Sequence, residues 1–266
     1  MFKTIAPLSG ILSLRFLGLF LVLPILSVYA SEMEGSTTFL VGIIVGGYAL
    51  TQAIFQVPFG AMSDKIGRKV TIFIGLLMFL AGSVVCALSE DIYMLMIGRF
   101  LQGAGAIGSV IPAMISDMVP EEKRGKAMAM MGGSIAMSFA IAMVLGPILG
   151  AKYGLDILFW ITGILAIISM IVLFKSVPTP PRIRHMYNGK STTVDILKDM
   201  NLLGLGITGL LQKGMMTIAF VMIPLILLAS PENGGFAWTK ADLWKAYVPA
   251  MIFGLIAMGP AAVFGE

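Results

Sequence analysis

Three features of this 266-residue sequence predict an all-α integral membrane fold: an apolar excess, the length of the apolar runs, and the placement of basic residues between them. The chain is 58% hydrophobic and 12% charged, with a mean hydropathy of +0.96. Soluble domains are roughly 45–50% apolar, so most of this surface must face lipid or other helices. Each run reaches about 20 residues or more, the length that carries a helix across a ~30 Å hydrocarbon layer.

The runs divide into eight spans: Pro7 to Ala30, Thr38 to Ser63, Val70 to Leu88, Ile92 to Met118, Ala127 to Ala151, Asp156 to Phe174, Leu202 to Ala229 and Leu243 to Gly265. Val28-Tyr29-Ala30 before Ser31 resembles a signal-peptidase site. The segment is too long for a signal core and holds Arg15 and Pro24, so it reads as a span. Short polar turns join the spans, except for Lys175 to Asn201, which opens with Pro178-Thr179-Pro180-Pro181 and cannot continue a helix. That stretch divides the chain into 1–175, a loop of 176–201, and 202–266.

Charge sets the expected orientation. Lys3, then Lys65, Arg68 and Lys69, then Lys123, Arg124 and Lys126, then Lys175, Arg182, Arg184, Lys190 and Lys198 fall on alternate connections, while the others hold only Lys152, Lys240 and Lys245 among several acids. The positive-inside rule puts the N-terminus and these basic connections in the cytoplasm. The net charge of +4 reports that asymmetry rather than nucleic-acid binding. Cys86 is the single cysteine and lies in an apolar run, which excludes a disulfide framework or a cysteine metal site within the chain. No metal or other cofactor is expected. There is no H-E-x-x-H, no histidine within a span and no pair of mid-span aspartates, so no catalytic residues are assigned and an intramembrane enzyme is not indicated.

Gly60-Ala61-Met62-Ser63-Asp64-Lys65-Ile66-Gly67-Arg68-Lys69 joins spans two and three. Gly60 reads as a site of close backbone approach and Gly67 as a tight turn, with Asp64 and Arg68 as opposite charges at a membrane edge. Arg99-Phe100-Leu101-Gln102-Gly103-Ala104-Gly105-Ala106 follows in span four. Leu17-Gly18 with Pro24 occurs in span one, and Gly133 with Gly146-Pro147-Ile148-Leu149-Gly150 in span five, where Ala142 and Ala151 are the remaining small residues. The loop fits G-x-x-x-D-[RK]-x-G-R-[RK] at every specified position, and with the other three segments it resembles the major facilitator superfamily, drug:proton antiporter type.

The resemblance implies twelve helices in two six-helix bundles, with substrate held between them and exposed alternately to each side. The chain would then hold a complete first bundle and the first two helices of the second. It is expected to insert without transporting by itself, and proteolysis is expected within Thr179 to Lys198. The resemblance also implies a charge latch of Asp64, Arg68 and Asp117, an antiporter-type motif in Gly133, Gly146, Pro147 and Gly150, a place in the bacterial inner membrane, and a small molecule and protons as partners alongside the bilayer. Inverted repeats leave a trace in Pro58-Phe59-Gly60-Ala61 and Pro147-Ile148-Leu149-Gly150-Ala151.

Ionisable groups inside spans are functional candidates by default. Arg99, Asp64, Asp117 and Lys213 are the candidates for proton coupling; Arg99 reads equally as a tie between spans one and four. Arg15 and Lys213 are placed to snorkel. Tyr48, Gln52, Phe55, Gln56 and Phe59 share a stripe of span two and, with Arg15 and Gln102, are candidates to line a substrate cavity for lipophilic compounds. The spans carry no acid at mid-depth and His185 lies in the long loop, so a proton carrier is Asp64, Asp117 or a group in helices beyond these eight. A metabolite facilitator is the alternative function within the fold, and a non-transporting membrane scaffold the alternative outside it.

Overall fold

In the computed structural model, residues 2–178, 200–250 and 252–253 are described. Residues 179–199, with His185 and the expected cleavage stretch, and residues 251 and 254–266, with much of span eight, lie outside them. The helices are α1 (Phe2–Glu32), α2 (Thr38–Ile66), α3 (Arg68–Ala87), α4 (Ile92–Ala104), α5 (Val110–Met118), α6 (Glu121–Tyr153), α7 (Leu155–Ser176) and α8 (Met200–Leu228), with α9 over residues 244–250. Six of them, α1, α2, α3, α6, α7 and α8, are long and apolar enough to cross a membrane. Span four is instead two shorter helices, of 13 and 9 residues, separated at 105–109.

Local signals set the helix ends. The Thr37 hydroxyl accepts from the Leu40 N–H at 3.2 Å, and Asp91 Oδ1 accepts from Tyr93 and Met94 N–H at 2.8 and 2.9 Å. Both satisfy first-turn donors that have no partner within the helix. Gly67 sits at φ +104°, where a side chain is strained, and turns α2 into α3 without an intervening loop.

Helix α1 is central, packing against α6 and α7, while α3 packs against α4 and α7 and α2 against α4. Its interior forms two apolar layers. One, with Leu8, Leu12, Ile72, Ile111 and Leu173, lies toward the end that carries the N-terminus. The other, with Val22, Leu26, Ile44, Leu95 and Phe159, lies toward the Glu32 end. Between them is a polar belt: Arg15, Ser83, Arg99, Gln102 and Thr162 are all buried.

Glycines allow the closest approaches. A Cβ on Gly82 of α3 would fall 2.5 Å from the Gln102 nitrogen and 2.7 Å from the Gly98 carbonyl, so these two backbones meet directly. A Cβ on Gly146 would collide with the Leu21 carbonyl, and one on Gly103 with the Tyr48 carbonyl. Gly60 and Gly133 face open space, contrary to the close approach expected at Gly60. The conformational role in that loop falls to Gly67.

Helix α8 meets the first bundle only over its second half. Phe220 and Leu227 join the layer at the Glu32 end, whereas Leu205, Leu210 and Lys213 are exposed. Pro224 removes the N–H that would bond the Phe220 carbonyl, and Ser27 of α1 donates to that carbonyl at 3.5 Å.

Candidate functional site

Two charge centres lie in the first bundle. The first is at the end where α2 turns into α3. Because Gly67 makes the turn abrupt, Arg68 at the start of α3 reaches back along α2 and across to α5. Its Nη1 lies 2.7 Å from Asp64 Oδ1, and its Nε donates to Asp117 Oδ2 at 2.9 Å. Nη1 also bonds the Ser63 hydroxyl, which itself donates to the Gly60 carbonyl at 2.6 Å. The Arg68 and Asp117 side chains are each 13% exposed while Asp64 is 60% exposed, so the inner pair is shielded and the outer one wet. Lys69 donates to the Val177 carbonyl at 2.8 Å and lies over the Phe174 ring, tying the start of α3 to the end of α7. Lys65 is exposed.

The second centre is the mid-bundle belt. Arg99 Nη1 donates to Gln102 Oε1 at 2.8 Å, Gln102 Nε2 donates to Ser83 Oγ at 2.9 Å, and Ser83 donates to the Phe79 carbonyl at 2.7 Å. Arg99 Nε reaches the Ile44 carbonyl of α2 at 3.4 Å. Its guanidinium therefore joins α4 to α2, not to α1 as the tie between spans one and four required. Arg15 supplies the α1 link by donating to the Gly105 carbonyl at 2.9 Å. It is wholly buried, so it does not snorkel. Tyr48 lies between the two cations, its ring centroid 5.9 Å from the Arg15 guanidinium and 5.0 Å from that of Arg99.

The Arg99-to-Ala106 segment breaks its own helix. Gly105 has φ −73° and ψ 58°, the centre of an inverse γ-turn closed by Ala106 N–H to the Ala104 carbonyl at 2.8 Å. Carbonyls released inside a membrane must find donors, and Arg15 is the donor for Gly105. Ser109 donates to the Gln56 carbonyl at 3.3 Å, and Gly108 lies beside the Gln52 amide, so the α2 glutamines border the break.

The stripe on span two is divided by this packing. Tyr48 and Phe59 are buried in the bundle, Gln52 and Gln56 are half-buried, and Phe55 is exposed. Tyr48 and Phe59 therefore do not face an open cavity; Phe59 packs into the apolar layer beside Gly75. In the α6 motif, Gly146, Pro147 and Gly150 are buried, and the Gly150 carbonyl accepts from Tyr29 Oη at 2.6 Å. Lys213 is exposed and is not brought to either centre. Sequence reasoning missed Ser63 and Ser83; Ser63 stood inside the loop motif beside Asp64, whereas nothing local marks Ser83. Among the described residues no cluster of His, Cys, Asp or Glu has metal-holding geometry.

A further set of contacts closes the Glu32 end. Lys240 lies 2.7 Å from Glu32 and 3.9 Å from the Tyr29 ring centroid. Asp242 pairs with Lys245 at 2.6 Å and also bonds Thr239. The Lys245 hydrogen bond, followed by that of Thr239, holds the Asp242 carboxyl below its ordinary value.

The chain is 40% identical over 264 residues to the inner membrane transport protein YajR of Escherichia coli strain K12, covering 97% of this chain and 56% of that one. It is 31% identical over 175 residues to the quinolone resistance protein NorA of Staphylococcus aureus strain Mu50, covering 64% and 44%. It thus spans about half the length of the curated relatives it matches. Among solved structures it superposes on a D-xylose–proton symporter with a TM-score of 0.67 at 16% identity, covering 98% of this chain and 69% of that one. A bacterial homologue of the lysosomal transporter Spinster, inward-facing and unoccupied, gives 0.68 at 16%, covering 98% and 63%. At such identities these two matches show the fold alone, while the sequence match runs unbroken over residues 8–266, and by that match the chain belongs to the Major Facilitator Superfamily.

Proposed function

We propose that these residues carry the first bundle and the start of the second in an alternating-access transporter that exports lipophilic compounds in exchange for protons. The observation that carries this reading is the three-member network of Asp64, Arg68 and Asp117, which joins the ends of α2, α3 and α5 where water and the bundle interior meet. A shared arginine between two carboxylates is a two-state element: protonating either acid removes one partner and frees the guanidinium for the other. Asp64 and Asp117 are the proton carriers this chain offers, and Arg68 is their switch.

Residues 1–175 form the first moving body in this reading, 176–201 the connection and 202–266 the beginning of the second, with the N-terminus in the cytoplasm of a bacterial inner membrane. Support for export comes from the small-residue contact of α6 on α1 at Gly146 and Gly150, and from relatives named as an inner membrane transport protein and a quinolone resistance protein. The reading is tested by reconstituting in liposomes the whole transporter that carries these residues, imposing a pH gradient and following a lipophilic dye. Transport that ignores the gradient in both directions removes the proton and leaves a facilitator, a reading supported by the lack of a buried Asp or Glu among the described residues.

A further inference from the structure

Helix α5 is a nine-residue rod with a break at each end. At its start, Ala106 N–H bonds the Ala104 carbonyl at 2.8 Å and Ile107 N–H bonds the Gly105 carbonyl at 2.9 Å, two successive three-residue turns in place of helical bonds. At its end, Val119 is extended, with φ −119° and ψ 132°, and Pro120 leads into α6. Between the breaks the rod is stiff, because Pro112 stands in its first turn, where the missing N–H has no helical partner to lose. Val110, Ile111, Met114 and Ile115 are fully buried in the apolar layer, whose packing is non-directional and lets a rod shift. The directional contacts stand at the two ends. At the start, Arg15 donates to the Gly105 carbonyl at 2.9 Å and Ser109 to the Gln56 carbonyl at 3.3 Å. At the far end, Arg68 Nε donates to Asp117 Oδ2 at 2.9 Å. Arg15 is a fixed reference, wholly buried on the central helix, with the Phe79 and Tyr48 ring centroids 5.3 and 5.9 Å from its guanidinium. A Cβ on Gly105 would collide with the Gly75 carbonyl, so the turn lies against α3 with no side chain between them.

We infer that α5 is a lever that couples the two charge centres, so that Arg68 holding or releasing Asp117 at one end shifts the Gly105 carbonyl against Arg15 at the other. Nine residues at 1.5 Å each make an arm of about 14 Å, which runs from the edge network to the polar belt. A helix does not shorten without losing its own bonds, so a displacement of Asp117 is carried along the rod. The turns on either side absorb the change, as hinges at element ends do. Gly105 is the point where the movement is felt. Its carbonyl is released from the α4 ladder and shared between the Ile107 N–H and one buried donor from another helix, so a small shift changes its bonding. A coupling of this kind is reciprocal: whatever the edge does to the turn, the turn does to the edge. The inference rests on the reading of Arg68 as a switch between two carboxylates and names the element that the switch moves.

Amide hydrogen exchange tests the lever in the whole transporter that carries these residues, held in detergent micelles and followed by nuclear magnetic resonance. Asp117→Asn, which removes the charge that holds Arg68, should speed exchange of the Ala106 and Ile107 amides about tenfold relative to the Phe100 to Gly103 amides of α4. Arg15→Lys keeps the charge and gives up the guanidinium fork. By reciprocity it should speed the Asp117 and Met118 amides, on the same scale, by about the same factor. Ala113→Gly with Ser116→Gly softens the rod, and in that background Asp117→Asn should change the ratio by less than about twofold. An unchanged ratio in Asp117→Asn would overturn the lever, and so would a full tenfold response through the softened rod. If Asp117→Asn does not fold, the response of the Asp117 and Met118 amides to Arg15→Lys decides alone. Gradient-driven transport with an unchanged ratio would keep the switch and defeat the lever; the tenfold response with transport blind to the gradient would keep the lever and defeat proton-coupled export.

Discussion

Arg68 and Arg99 bring the same guanidinium into two settings. Arg68 meets two carboxylates and a serine at a partly open edge, one of those carboxylates mostly in water. Arg99 is 1% exposed and is held by an amide, a carbonyl and the face of Tyr48. A carboxylate can take up a proton and release its arginine, whereas an amide and a carbonyl cannot. The edge centre pairs its arginine with carboxylates, and the central one pairs its arginine with neutral dipoles. Charge at depth is stabilised here by dipoles, and among the described residues no Asp or Glu is buried.

This contrast can be broken most sharply at Gln102. Gln102→Leu leaves the buried Arg99 charge with a long bond to Ile44 and the Tyr48 ring face, and it should lower stability by about 3 kcal/mol or more, the cost of leaving a buried charged donor without its closest acceptor. Unfolding in mixed detergent titrations measures it, and a loss below 1 kcal/mol would mean that the belt is hydrated. Arg99→Leu removes the charge and orphans the Gln102 Oε1, while Nε2 still donates to Ser83, for a smaller loss of about 1–3 kcal/mol. The double variant should be more stable than Gln102→Leu alone, because neither an unpaired charge nor an unpaired amide remains.

At the edge the expected order is reversed, with a small effect on stability and a large one on turnover. Asp117→Asn should shift unfolding by about 1 kcal/mol and slow transport at least tenfold. Arg68→Asp with Asp117→Arg should recover part of the rate lost in Arg68→Asp. A double variant no faster than the slower single variant would show that the two do not act as partners.

The smallest effect belongs to Asp242. Its carboxyl is held low in the folded chain by Lys245, so the pairing supports the fold above the ordinary carboxylate range, near pH 4, and that support is lost as the pH falls through the depressed folded value. Lys245→Ala should return the Asp242 midpoint toward the ordinary range, as read by carboxyl infrared absorption. An unmoved midpoint would assign the shift to Thr239 instead.

Much of this was legible in the sequence, and for identifiable reasons. Composition and run length suffice for membrane helices, because a bilayer demands length and apolarity from each helix separately. The Asp64 and Arg68 pair was legible because the two flank Gly67 and their geometry is local, whereas Asp117, 49 residues from Arg68, was expected only from the family resemblance. The break in span four was not, since hydropathy continues through Gly105-Ala106-Ile107 and the interruption depends on a donor 90 residues earlier. The stripe on α2 misled because α2 carries α4 along one side, and periodicity alone does not say which side faces a cavity.

The interrupted fourth span bears on how the chain enters the membrane during synthesis. The 13 residues of α4 and 9 of α5 reach about 20 Å and 14 Å at 1.5 Å per residue, and neither alone covers a hydrocarbon layer of ~30 Å. This crossing must therefore be taken up as a joined pair, with its open turn already supplied with a donor. Arg15 emerges from the ribosome long before Gly105, so the order of translation delivers the donor ahead of the carbonyl it serves.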